Sequence, residues 1–119
     1  MPQRTFYIYT PVTPDPRIVP NNSQSELILD GFAYNKSDDL SVDFVLTVKE
    51  ESEDQVSLLK DGKPVDQLEF KREIKEEKTP FQLDVSLSPR TNTDIVALKL
   101  VGKNSLSYPW TKTILIGVI

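Results

Sequence analysis

The sequence predicts an all-β fold, an antiparallel β-sandwich of about seven to nine strands with Greek-key connections. The first observation behind this prediction is the alternation of apolar and polar residues, which is clearest over 42–48 and 81–88. The second is the regular recurrence of turn-forming residues between such runs, which divides the chain into segments of strand length. Two sheets that bury their apolar faces against each other account for both observations.

A single domain over residues 1–119 is the natural expectation for a chain of 119 residues. A chain of this length buries an ordinary core without disulfides, and the sequence contains no cysteine. The apolar run that ends at Ile119 favours a domain cut from a larger protein, with a short complete protein as the alternative. We expect a monomer or one part of a larger chain.

The first strand is predicted over 5–10, because the residues at 6–9 are aromatic or β-branched strand formers. Residues 10–24 form a proline-rich segment, in which each proline fixes φ and removes a main-chain donor. This segment is predicted to be extended, as a stiff crossover between the sheets or as a spacer.

The second strand is predicted over 25–35, with a bulge or bend at Asp30-Gly31, since glycine weakens a strand interior. A turn at 35–39 leads to a third strand, in which every second residue of 42–48 is apolar. An acidic loop at 50–54 follows this strand.

Segments 55–60 and 64–70 flank Asp61-Gly62. This pair predicts a β-hairpin, because a type I′ turn needs positive φ at both central residues. Pro64 cannot donate to a strand ladder, so its arm is predicted to lie at a sheet edge.

Residues 69–78 are almost entirely charged, and we expect them to form an exposed excursion from the sandwich. Phe70 and Ile74 are the apolar residues of this segment and lie four positions apart, which favours a helical turn. A solvated extension of the hairpin is the alternative.

The second half of the chain alternates regularly. A strand over 81–88 is followed by a turn at 89–92, and the apolar segment 95–101 predicts a central strand. A turn at 102–105 precedes the last strand, 110–118. The predicted core comprises the inward residues of the clearest strands: Phe44, Leu46, Phe81, Leu83, Val85, Leu98 and Ile116.

Residues 42–118 resemble bacterial Ig-like domains. The sequence QVSLLKDGKPV at 55–65 is similar to their V-x-L-x-x-D-G-K-x-V hairpin, and TPFQLDVSL at 79–87 is similar to their A-P-Y/F-x-x-x-x-x-L strand. Residues 94–102 stand where the family has the strand H-x-I-x-A-x-A-x-D-x-x-G. The chain departs from the family at 102–105, where an Asp-x-x-Gly-Asn turn is usual, and in the charged segment 69–78.

This resemblance implies an Ig-like sandwich that serves as a spacer, an adhesin segment or an accessory to a carbohydrate-active enzyme. It also implies a surface or secreted bacterial protein, so we expect an extracellular or cell-surface location, with the cytoplasm left open. Such families share no catalytic residues, so none transfer to this chain.

The charged and polar residues limit the classes of function. The net charge of -4 disfavours nucleic acid as a partner, because binding phosphate needs a basic face. No apolar run is long enough for a membrane-spanning helix, so no membrane insertion is expected in this segment. The chain lacks histidine and cysteine, the readiest bases, nucleophiles and soft metal ligands, so we expect no enzymatic activity and no catalytic residues.

Carboxylates are the remaining candidates for metal chemistry. A calcium ion could bind within Asp38-Asp39 or within the 50–54 loop, since calcium prefers oxygen ligands. The strand between these loops holds them roughly 30 Å apart, so they are not expected to share a site. No other cofactor is predicted.

Five aromatic residues are the candidate binding residues: Tyr7, Tyr9, Tyr34, Tyr108 and Trp110. Their amphipathic rings suit contact with a protein partner or stacking on a glycan, whereas packing of Trp110 into the core is the structural alternative. Tyr7 and Tyr9 share one face of the first strand, and we expect that face to be the less buried one.

Three functions remain open. The first is a structural or interaction module of a surface protein, for example in cell adhesion. The second is a carbohydrate-binding module, which exposed coplanar rings would favour. The third is an intracellular scaffold domain that binds extended peptides by strand addition to an open sheet edge.

Overall fold

Two sheets of strands form the fold. The computed structural model describes residues 6–9, 17–20, 23–35, 40–75, 77–90, 94–104 and 107–119. The ten strands within these residues are β1 (Phe6–Tyr9), β2 (Arg17–Val19), β3 (Ser25–Asn35), β4 (Leu40–Val48), β5 (Val56–Lys60), β6 (Lys63–Val65), β7 (Gln67–Ile74), β8 (Glu77–Pro89), β9 (Ile95–Asn104) and β10 (Ser107–Val118). A 3-10 turn, Glu50–Ser52, lies between β4 and β5.

The predicted all-β sandwich is confirmed. The first sheet has the strand order β1-β3-β8-β5-β6, and the second has β2-β10-β9-β4-β7. Neighbouring strands are antiparallel, apart from β2, which runs parallel to β10. The described strands number ten instead of seven to nine, because the hairpin arm predicted at 64–70 is divided between the two sheets and Arg17–Val19 forms a further strand.

The strand order is that of an immunoglobulin-type sandwich. Strands β1-β3-β8-β5 take the places of strands A, B, E and D, and β10-β9-β4 take those of G, F and C. The connections β3–β4 and β8–β9 each pass from one sheet to the other, as in a Greek key. Strand β7 lies beside β4, as a C′ strand does, but it follows β5 in the chain instead of preceding it.

The core fills the space between the sheets as predicted, because all seven residues named from the sequence are buried. At its centre the ring of Phe44, from the second sheet, stacks on the ring of Phe81, from the first, with centroids 5.0 Å apart. Because the two rings come from different sheets, their contact joins the sheets directly. Aromatic pairs at this distance add to the stabilisation that apolar burial provides.

Part of the proline-rich segment 10–24 forms β2, which belongs to the second sheet. Strand β1 belongs to the first sheet and β2 to the second, so the chain changes sheets between Tyr9 and Arg17. The extended conformation predicted for this segment falls largely on residues 10–16 and 21–22, which lie outside the described residues. The turns predicted at 35–39 and 89–92 fall there in part as well.

The prediction of an exposed excursion with a helical turn at 69–78 is wrong. Most of this segment belongs to β7, which pairs with β4 in unbroken register and places Phe70 opposite Phe44. Positions four apart lie on one face of a strand as well as of a helix, so the spacing of Phe70 and Ile74 fits both. The charged residues Glu69 and Lys71 alternate with them and are exposed.

Two glycines predicted to interrupt strands lie inside them instead. Gly31 is buried opposite Phe81 in the continuous pairing of β3 with β8, so the predicted bulge is wrong. Gly102 was predicted in a turn, but it is buried within β9, between Phe44 of β4 and Trp110 of β10. Each glycine therefore lies directly opposite an aromatic residue, where a missing side chain leaves room for the ring.

The hairpin at Asp61-Gly62 is confirmed. The φ angles are 55° at Asp61 and 79° at Gly62, both positive as a type I′ turn requires. Pro64 lies in β6, at the edge of the first sheet, as predicted. The second arm is shorter than predicted, since the chain leaves this sheet after Val65.

Replacing Gly62 with alanine is expected to lower the free energy of unfolding by about 1 kcal/mol. A Cβ at Gly62 meets no atom within 4 Å, so the cost comes from the left-handed backbone and not from a clash. Urea denaturation measures the difference, and Asp61→Asn is the control, because asparagine tolerates positive φ. Equal stability of Gly62→Ala and the unsubstituted chain would show that the turn relaxes to another type.

Candidate functional site

The register of β1 and β3 brings together three of the five predicted binding residues. Tyr7 lies directly opposite Tyr34, and Tyr9 lies opposite Phe32. Residues directly opposite each other in an antiparallel pair share a face of the sheet, so positions 7, 9, 32 and 34 lie on one face. The side chains of Tyr7 and Tyr9 lie outside the part of the chain that the structure describes.

This face points away from the core. Along β3, Leu29 and Ala33 are buried, whereas Tyr34 is 42% exposed and Phe32 is half-buried. The alternation of β3 thus directs Leu29, Gly31 and Ala33 inward and its two aromatic residues outward. Ile8 is opposite the buried Ala33, which places positions 7 and 9 on the outer face.

Strand β8 completes the surface on the other side of β3. Lys78 is opposite Tyr34 in register, and Pro80 is opposite Phe32. The Lys78 ammonium lies 4.0 Å from the centroid of the Phe32 ring, a cation–π contact. We call Phe32, Tyr34, Lys78, Pro80 and positions 7 and 9 the aromatic surface.

The other two predicted residues lie in the second sheet. Trp110 is partly buried and packs against the core, so it takes the structural role that was the alternative to binding. Tyr108 belongs to β10, where the pairing with β9 shifts register between Ser107 and Trp110. The side chain of Tyr108 lies outside the described part.

Phe32 is the aromatic residue of this surface that the sequence interpretation missed. It precedes Tyr34 by two residues, so alternation along β3 places the two on one face. Both residues follow the bulge or bend predicted at Asp30-Gly31, so that prediction did not affect their common face.

The acidic residues do not assemble into a metal site within the described residues. There, no group of three or more histidine, cysteine, aspartate or glutamate side chains is placed to hold a metal ion. Glu50, Glu51 and Glu53 are exposed around the 3-10 turn. Asp38 and Asp39, the other candidate calcium ligands, lie outside the described residues.

A cavity with a volume of about 700 Å³ opens where the chain passes from the first sheet to the second. Its lining residues are Thr47, Val48, Glu53, Val56, Ser57, Leu58, Pro64, Val65, Asp66 and Gln67. Glu53 and Asp66 are its ionisable residues, and both are exposed.

In the part of the chain that the structure describes, no helix has the length and apolar character needed to cross a membrane. Neither the scan against protein-family models nor the search of curated proteins found a match to this chain.

Proposed function

We propose that this chain is a non-catalytic Ig-like interaction module of a surface or secreted bacterial protein, which binds a protein partner through the aromatic surface. The exposure of Tyr34, in register with Tyr7 and beside Phe32, is the observation that carries the proposal. Tyrosine is enriched at protein interfaces, because its ring buries a large area while its hydroxyl keeps a hydrogen bond. The resemblance to bacterial Ig-like domains supports the location.

A protein partner is favoured over a glycan by the contact at Phe32. Lys78 occupies one face of this ring, and sugar recognition by stacking needs an open ring face. A lysine held over a ring is also a donor for carbonyl or carboxylate groups of a polypeptide. The carbohydrate-binding alternative therefore depends on Tyr34 and on the two tyrosines of β1.

The non-catalytic part of the proposal rests on the chemistry of the side chains. The sequence has no histidine or cysteine, and the ionisable residues that line the cavity of about 700 Å³ are two exposed carboxylates. We accordingly assign no cofactor to the module.

Binding is expected to depend on Tyr34 and only weakly on salt. The experiment probes arrays of secreted bacterial proteins and of bacterial glycans with the chain, then measures the affinity of each ligand found. Tyr34→Ala is expected to weaken protein binding about tenfold, because a central interface tyrosine contributes more than 1 kcal/mol. Raising the salt from about 0.05 M to about 0.5 M is expected to change the affinity less than about threefold, since screening acts on charges and not on apolar contact.

Tyr34→Phe is the matched control, because it keeps the ring and is expected to retain most of the affinity. The variant Tyr7→Ala/Tyr9→Ala extends the test to β1. Loss of affinity in high salt together with indifference to the tyrosine changes would place binding at the acidic loops and refute the proposal. Glycan binding that is lost in Tyr34→Ala would support the carbohydrate-binding alternative instead.

A further inference from the structure

Strand β8 has neighbours on both sides for only part of its length. It pairs with β3 from Glu77 to Leu87, whereas its pairing with β5 covers only Ser86–Pro89. Among the described residues, no strand pairs with residues 77–85 of β8 on the side where β5 pairs with Ser86–Pro89. We call this side of 77–85 the open edge.

The main-chain N–H and C=O groups that face the open edge are those of the even-numbered residues of β8. The Arg90 amide donates to the Gln55 carbonyl at 2.8 Å, on the side of β5, and directions alternate along an antiparallel strand. The Gln82 carbonyl accepts from the Arg72 guanidinium, 3.0 Å away, which agrees with this alternation. The N–H groups of Gln82 and Asp84 therefore face the open edge.

Several features of the open edge oppose pairing with the same edge of a second copy. Arg72 occupies the Gln82 carbonyl, and Pro80 has no N–H to offer. Lys78 is an exposed charge near the beginning of the edge. Charged side chains and proline are the usual protection of edge strands against self-association. In a pair of identical edges these obstacles would be present twice, whereas a different polypeptide meets them once, so a different polypeptide is the favoured partner.

A cavity of about 220 Å³ lies where the open edge meets the end of β5. Its apolar lining comes from Leu59 of β5 and from Leu68 and Phe70 of β7, and Asp84 and Ser86 of β8 border it. Leu59 is paired with Ser86, the last pair before the open edge begins. The cavity therefore lies beside the position that an added strand would occupy if it continued the pairing of β5 with β8 beyond Ser86.

We propose that the open edge binds an extended polypeptide by strand addition, with hydrogen bonds to the N–H groups of Gln82 and Asp84 and an apolar side chain in the cavity. The main-chain bonds select the extended conformation, and the cavity selects the side chain. This site differs from the aromatic surface, although Lys78 and Pro80 belong to both, because it uses main-chain groups on the β5 side of β8 and not the aromatic side chains.

A pool of random linear dodecapeptides displayed on phage and selected on the full chain is the probe. Selected peptides are expected to alternate apolar and polar residues, as added strands do. They are expected to bind Gln82→Ala as tightly as the unsubstituted chain, because alanine keeps the N–H. Gln82→Pro removes this N–H without removing a bond to β3, so the affinity is expected to fall about tenfold. Tyr34→Ala is expected to change nothing, which separates this site from the aromatic surface.

Amide hydrogen exchange on the unsubstituted chain makes the test independent of whether Gln82→Pro folds. Bound peptide is expected to slow exchange at Gln82 and Asp84 and to leave Phe81 and Leu83 unchanged, since these two already bond to β3. Failure to enrich any peptide, equal affinity for Gln82→Ala and Gln82→Pro, or unchanged exchange at Gln82 and Asp84 would each overturn the proposal.

Discussion

Replacing Leu83 with alanine is expected to lower the free energy of unfolding by about 2–5 kcal/mol. Leu83 is fully buried at the centre of β8 and lies opposite Leu29, which is 1% exposed. The substitution removes apolar burial and leaves a cavity that the two sheets cannot close without shifting the strands between them. Urea denaturation measures the effect as a lower midpoint at unchanged slope.

Ile28→Ala is the matched control, because isoleucine and leucine are isomers and replacement of either by alanine removes three side-chain carbon atoms. Ile28 lies in β3, next to Leu29 but on the outer face, and is 50% exposed. Its replacement is expected to cost about 1 kcal/mol or less, mainly through the lower strand propensity of alanine. An unchanged midpoint for Leu83→Ala would mean that β8 is displaced by one residue, since such a shift exchanges its buried and exposed faces.

Sequence patterns within a few residues predicted those strands and turns that can be recognised without knowing which strand they pair with. The alternation over 81–88 identified the buried face of β8, and Asp61-Gly62 identified a turn, because both signals are complete within a few residues. The seven predicted core residues come from such segments and are all buried. The sandwich follows from these local preferences, since each strand has one apolar face to cover.

The assignment of strands to sheets depended on contacts far apart in the sequence. The chain passes from β6 to β7 at Asp66, and so changes sheets within one residue. What identifies β7 as a strand is its pairing with β4, in which Phe70 meets Phe44. Strand β7 lies at an edge of its sheet and needs only one apolar face, so its many charged residues are compatible with a strand. In the sequence alone, the same charged residues resemble those of a solvated loop.

The two misinterpreted glycines show why a residue type alone does not determine a break. Glycine in a strand marks either an irregularity or a place where a neighbour needs room. Gly102 lies between Phe44 and Trp110 across three adjacent strands, so the neighbours explain it. The sequence contains all three residues, but their adjacency exists only after β4, β9 and β10 have paired.

The aromatic surface was predictable in part for the same reason. The common face of Tyr7 and Tyr9 follows from alternation along one strand. Their position beside Tyr34 and Phe32 follows from the register of β1 with β3, which no local pattern encodes. Trp110 was separated from this group only by the fold, which places it in the other sheet.

Replacing Ser52 with alanine is expected to lower the free energy of unfolding by about 1–3 kcal/mol, although Ser52 lies in the acidic loop predicted at 50–54. Strand β4 stops pairing with β9 at Val48, and the following residues take over its hydrogen bonds. The Lys49 amide donates to the Ala97 carbonyl at 3.0 Å, and the buried Ser52 Oγ accepts from the Ala97 amide at 2.9 Å. Alanine at 52 leaves that amide unpaired in the interior, which costs more than the bond itself contributes.

Ser25→Ala provides the opposite case within the same fold. Ser25 is also buried, but its Oγ finds no hydrogen-bond partner among the residues that the structure describes. Removing an unpaired buried hydroxyl relieves a desolvation cost, so this variant is expected to be as stable as the unsubstituted chain or more stable. Thermal and urea unfolding of the two variants therefore distinguish Ser52, whose hydroxyl accepts from a strand amide, from Ser25, whose buried hydroxyl has no described partner. Equal losses in both would show that the Ala97 amide finds another acceptor and that the 3-10 turn does not hold the end of β9.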